Sequence, residues 1–203
     1  MGVLEQLTID DNELWWLREG EGAHGEHAGT AETVIASLEG SFRFVEETPG
    51  AAGLRSPQLG ALHAILAHRS MEAREPITIV MPTGTGKTET MLAAYCHAPR
   101  RTLVVVPSDV LRSQIAGKFA TLGVLPGVGA VTGRFRCPVV LVLRSVLSTA
   151  EQVEDAVSRA NVVVATAQAL AGSTDSARTR LTELCDRLFS DEAHHVAART
   201  WRS

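Results

Sequence analysis

Met81-Pro82-Thr83-Gly84-Thr85-Gly86-Lys87-Thr88 is the stretch on which the reading of this chain turns. It follows a short apolar run, residues 77–81, and precedes a helical stretch, residues 89–97. Gly84 and Gly86 let the backbone turn its N–H groups inward around an anion. Lys87 adds a cation that reaches the outer phosphates, and Thr88 offers a hydroxyl to Mg²⁺ at the helix N-terminus. Strand, glycine-rich turn and helix, in that order, make a binding loop for the phosphates of a nucleotide.

The rest of the chain repeats the alternation that this loop requires. Residues 102–106 (TLVVV), 139–143 (VVLVL), 161–165 (NVVVA) and, more weakly, 187–190 read as buried strands. Between them residues 110–119, 149–158 and 177–185 read as helices. Upstream, residues 57–67 carry Leu59, Leu62, Ile65 and Leu66 on one helical face, with Ser56 as cap and Pro57 at the first helical position. Continuous β-branched runs separated by helices predict an α/β fold, a parallel sheet covered on both faces.

A second motif follows the last strand: Asp191-Glu192-Ala193-His194. An acid at the end of a buried strand can hold Mg²⁺, and the next acid can orient and deprotonate an attacking water. With the phosphate loop upstream, the pair specifies nucleotide hydrolysis.

Composition bounds the remaining possibilities. The chain has 203 residues, 45% hydrophobic and 21% charged, which excludes a disordered chain, a collagen-like chain and a disulfide scaffold. Cys96, Cys137 and Cys185 are widely spaced and read as free thiols in a reducing compartment. No run is apolar enough for a membrane helix, and the first twenty residues lack the pattern of a signal peptide, so a cytoplasmic protein is expected.

Charge divides the chain. Residues 1–50 hold eleven acids against two arginines, a net −9, whereas residues 51–203 hold 17 basic and 12 acidic residues, a net +5. This predicts an acidic N-terminal extension, residues 1–50, ahead of the nucleotide-binding domain, residues 51–203. Within the extension, Leu14, Trp15, Trp16 and Leu17 behind Asp10-Asp11-Asn12 suggest a short amphipathic helix. Residues 20–30 form a polar, glycine-rich loop in which His24 and His27 are solvated, and residues 41–45 a strand.

Taken together, these motifs resemble the first RecA-like domain of a superfamily 2 helicase or translocase, of the DEAD/DEAH-box and type I/III restriction-subunit kind, from about Leu54 onward. The usual phosphate loop of that group begins with Gly or Ala, where this chain has Met81. The resemblance implies a P-loop NTPase fold, with ATP and Mg²⁺ as cofactors. Thr83, Gly84, Thr85, Gly86, Lys87 and Thr88 would cradle the phosphates, Thr88 and Asp191 would hold the metal, and Glu192 would be the base. It further implies that Gln58, assisted by Arg55, reads the adenine edge. His194 would couple the ATP site to the nucleic-acid side. Ser108 and Arg112, after the second strand, and Thr166, after the fourth, would contact a nucleic-acid backbone, DNA with RNA as the alternative.

The same resemblance implies that more protein should follow. A Ser-Ala-Thr-type motif would lie on a strand between the P-loop strand and the DEAH strand, so the sheet is expected to be incomplete at the C-terminal end. A second RecA-like domain, in cis or on a partner subunit, would supply arginines worth about 10³ to 10⁵ in rate. The isolated chain should therefore bind nucleotide and hydrolyse it poorly. Against this stands a non-catalytic nucleotide-binding fragment or interaction module. A P-loop small-molecule kinase has no place for Glu192, His194 or Gln58.

Overall fold

The computed structural model describes residues 2–18, 30–71 and 75–191. They group into two compact units. One comprises residues 1–36, 100–121 and 136–203, and the other residues 37–99 and 122–135.

The first unit holds a six-stranded sheet. Its strands are β1 (Val3–Ile9), β2 (Asn12–Arg18), β3 (Thr102–Val106), β4 (Val140–Leu143), β5 (Val162–Thr166) and β6 (Arg187–Ser190), in the spatial order β1-β2-β4-β5-β3-β6. β4, β5, β3 and β6 run parallel, while β1 and β2 form an antiparallel hairpin that joins the sheet through β2 and β4. Every residue of β3, β4 and β5 is buried, as expected of strands whose two faces are both covered.

The alternation of side chains along each strand divides the core in two. On one face Leu14, Leu103, Val105, Leu141, Leu143, Val163 and Ala165 pack with Val153 and Val157 of α5 (Ala150–Ser158) and Ala177 and Leu181 of α7 (Asp175–Leu184). On the other, α4 (Asp109–Thr121) lies against β2, β3, β4 and β5 and buries Ile115, Ala116 and Phe119.

Asn161, fully buried, ties this unit together. Its Oδ1 accepts the Val139 N–H at 3.1 Å and its Nδ2 donates to the Ala31 carbonyl at 2.7 Å, in α1 (Ala31–Leu38). Asn161→Ala leaves the buried Val139 N–H unpaired, at ~1–3 kcal/mol, and removes the bond to α1, worth ~0.5–1.5 kcal/mol, so a loss of about 2–4 kcal/mol is expected. Urea unfolding of the variant beside the parent measures it.

The first eighteen residues correct one expectation. Leu14 to Leu17 lie in strand β2, not in a helix. Asp10 and Asp11 both adopt positive φ, 46° and 63°, which is the two-residue turn whose twist matches a β-hairpin. Strand alternation then turns Leu14 and Trp16 toward the core cluster and Trp15 toward Gly117 of α4. Buried Asn12 anchors the turn: its Oδ1 accepts the N–H groups of Arg144 (2.9 Å) and Ser145 (3.2 Å) just after β4. Glu13 adds an ion pair to Arg144, Nε to Oε1 at 2.7 Å.

The second unit carries α2 (Ser56–Ser70) and α3 (Lys87–His97), packed on one another. Ser56 is the first residue of α2, and Arg55 occupies the cap position that the sequence suggested for Ser56. Two expected strands are absent here. Residues 41–45 make only single bridges, Phe42 to Val131 among them. Residues 77–81 form no ladder, with Ile77 38% and Val80 89% exposed. An apolar, β-branched run has strand propensity, but without a neighbouring backbone to pair with it makes no sheet. The histidines His24 and His27 lie outside the described residues.

Candidate nucleotide and nucleic-acid sites

In the second unit the phosphate loop leads directly into α3. Gly86 caps the helix at φ 93°, Gly84 sits at φ 78°, and both positive angles are of the kind glycine adopts without a steric cost. Thr85 closes the turn, donating from its N–H (3.3 Å) and its Oγ1 (2.6 Å) to the Pro82 carbonyl. Thr83 is exposed, and Lys87 and Thr88 open α3 partly buried, so the first-turn N–H groups of the helix point toward the loop. Met81, the departure at the head of the loop, receives a weak hydrogen bond on its sulfur from Thr90 Oγ1 at 3.7 Å.

Arg55 and Gln58 meet this loop. Arg55 Nη1 donates to the Gly84 carbonyl at 3.0 Å, across 29 residues of sequence. Gln58, only 4% exposed, accepts the Arg55 N–H on Oε1 at 2.7 Å. Its amide nitrogen crowds Gly86 so closely that a Cβ there would stand 2.0 Å from Gln58 Nε2 and 2.9 Å from Arg55 Nη2. The backbone of the loop, the guanidinium and the amide thus form one packed cluster. Neither the Arg55–Gly84 bond nor the close approach at Gly86 has a local sequence signal. Two glycines at positive φ, with Lys87 and Thr88 as the first residues of the helix they lead into, are a chemistry that suits the phosphates of a nucleotide.

In the first unit the parallel strands bring their C-terminal ends to one side, where α/β sheets bind ligands. Ser108 follows β3, Thr166 ends β5 and Asp191 follows β6. Asp191 donates its N–H to the Val105 carbonyl at 2.9 Å, which fixes the carboxylate-bearing residue at the end of the sheet. Thr166 Oγ1 accepts the Ala169 N–H at 3.1 Å and caps α6 (Ala167–Gly172). Ser108 Oγ, exposed, accepts the Leu111 N–H at 3.4 Å at the start of α4.

Arg112 is placed differently from these two. Its guanidinium is buried, with Nη1 on the Leu143 carbonyl at 2.9 Å and on Asp109 Oδ1 at 3.0 Å. It binds α4 to the end of β4 from inside. Glu192 and His194 lie outside the described residues.

Cys96, Cys137 and Cys185 form no disulfide. Burial pushes the Cys185 thiol up to about 12, so it stays protonated and unreactive at neutral pH. No group of metal-ligating side chains occurs among the described residues, and no described helix is long and apolar enough to cross a membrane.

Comparison with known proteins agrees with this geometry. A family model, the type III restriction enzyme res subunit, matches residues 52–203. No curated protein and no solved structure matches the chain.

Proposed function

The chain belongs to the type III restriction enzyme res-subunit family, and its residues 52–203 are a helicase-like ATP-binding domain of a nucleic-acid-dependent ATPase; we propose that in the complete protein this domain drives movement on DNA. The observation that carries the proposal is the packed cluster of Arg55, Gln58, Gly84 and Gly86, which braces the phosphate loop.

Each residue then has a role that its chemistry supports. The N–H groups of residues 83–88 hold the phosphates, Lys87 neutralises charge on the outer ones, and Gln58 with Arg55 selects adenine. Thr88 and Asp191 are the oxygen donors suited to Mg²⁺. When bound, MgATP would supply the γ-phosphoryl group, which passes to water as ADP leaves. Glu192 takes the proton of that water, and His194 links this step to the nucleic-acid side. Ser108, Thr166 and the helix N-termini they cap bind backbone phosphates without reading bases. Arg112 serves that surface by holding α4 against β4.

The domain is proposed to span residues 51–203 behind an acidic extension, residues 1–50, in a cytoplasmic protein. A second RecA-like domain, in cis or on a partner subunit, is proposed to complete the catalytic site. The second reading is a nucleotide-binding module that has no turnover of its own.

ATP hydrolysis by the complete protein, measured with and without single-stranded DNA, separates the two. Stimulation by DNA is expected. A rate of zero under both conditions establishes the non-catalytic module, and stimulation by RNA alone changes the substrate.

A further inference from the structure

We propose that β1 is a self-pairing edge, through which two copies of this chain associate in antiparallel register about Gln6. β1 ends the six-stranded sheet, and among the described residues no strand lies on its outer side. It is seven residues long and fully paired to β2 on its inner side, from Val3 opposite Arg18 to Ile9 opposite Asn12. Natural edge strands of this length are normally blunted by lysine, proline, a bulge or a covering loop. The sequence Val3-Leu4-Glu5-Gln6-Leu7-Thr8-Ile9 contains no lysine or proline, Glu5 is its one charge, and its register with β2 runs without a bulge.

Hydrogen-bond geometry defines which groups the edge offers. The two-residue turn at Asp10 and Asp11 makes Ile9 and Asn12 the hydrogen-bonded pair beside it. Alternation then spends the backbone groups of Val3, Glu5, Leu7 and Ile9 on β2. It turns the N–H and C=O groups of Leu4, Gln6 and Thr8 outward. A second copy, antiparallel and centred on Gln6, faces Leu4 with its Thr8 and Gln6 with its Gln6. All three outward residues of each strand are satisfied, in about six hydrogen bonds at two per facing pair.

The side chains select this register over its neighbours. Centred on Gln6, it sets Glu5 opposite Leu7 of the second copy and Val3 opposite Ile9, so no charge meets a like charge. Centring on Glu5 would oppose two carboxylates, and centring on Leu7 would leave Val3 and Leu4 unpaired. The apolar side chains gain as well: Val3 is 64% and Leu7 51% exposed, on the face that Ile9 and Trp16 share with the core. In the pair Val3 packs on Ile9 and the two Leu7 side chains are diagonal neighbours.

Sedimentation velocity on the full chain tests this. The parent should self-associate, and Gln6→Pro should abolish association. Gln6 donates its N–H outward, so this proline costs the hairpin none of its own bonds. The near-ultraviolet circular dichroism of Trp15 and Trp16 checks that the hairpin persists. Gln6→Lys and Gln6→Glu should each be monomeric, because like charges then face each other, and a mixture of the two should recover a dimer. A parent that stays monomeric, a dimer indifferent to Gln6→Pro, or a mixture that fails to associate overturns the proposal. So does a parent that binds a foreign strand-forming peptide at this edge while remaining monomeric by itself.

Discussion

Gly86→Ala should abolish nucleotide binding, whereas Gly84→Ala, two residues away in the same loop, should weaken it only modestly. Both glycines hold positive φ, 93° and 78°, so alanine at either carries the left-handed penalty of ~1–2 kcal/mol. Their surroundings differ. A β-carbon on Gly84 meets nothing within 4 Å, but on Gly86 it would stand 2.0 Å from Gln58 Nε2, closer than any tolerated contact. Gln58 is buried and held by the Arg55 N–H, so it cannot move aside without giving up that bond and its place against the loop. We expect at least about a hundredfold loss of ATP affinity for Gly86→Ala, ~2.7 kcal/mol, and about tenfold or less for Gly84→Ala. Titration with a fluorescent ATP analogue reads both. Equal affinities for the two variants would show that the close approach at Gly86 is not required.

Glu192→Gln should keep ATP binding while removing turnover, and Lys87→Ala should remove both. A carboxylate that takes the proton of the attacking water contributes about 10²–10⁴ in rate and little to ground-state affinity. The amide cannot take that proton but occupies the same volume. Lys87, by contrast, neutralises phosphate charge in the bound state as well as during reaction, so its loss appears in affinity too. Affinity and DNA-stimulated hydrolysis, measured on the complete protein for both variants, distinguish a base from a binding cation. Hydrolysis that survives Glu192→Gln would remove Glu192 from that role.

Residues 81–88 could be read without any structure because a phosphate loop is a local device. Two glycines, a lysine and a hydroxyl within eight residues of chain dictate their own backbone conformation. Strands β3, β4 and β5 were equally legible, since a strand buried on both faces is apolar at every position. Legibility failed where the deciding partner lies far along the chain. Leu14-Trp15-Trp16-Leu17 is a short apolar run that suits a helix or a strand alike. What makes it a strand is the turn at Asp10 and Asp11, together with a place beside β4 that Asn12 and Glu13 lock to Arg144 and Ser145, some 130 residues away. Residues 77–81 fail in the opposite sense: their composition is that of a strand, and no neighbour pairs with them.

The site divides along the same line. The reading of residues 81–88 as a phosphate-binding loop follows from the order of the residues, because the groups that would meet a phosphate are adjacent in the chain. That Arg55 reaches the Gly84 carbonyl, that Gln58 leaves Gly86 no room for a side chain, and that Arg112 turns inward to Leu143 are consequences of packing between segments 28 to 31 residues apart. Such contacts depend on where α2 and α4 come to rest, which the composition of neither helix specifies. Local backbone chemistry is written in adjacent residues, whereas the fit between distant ones exists only once the chain has folded.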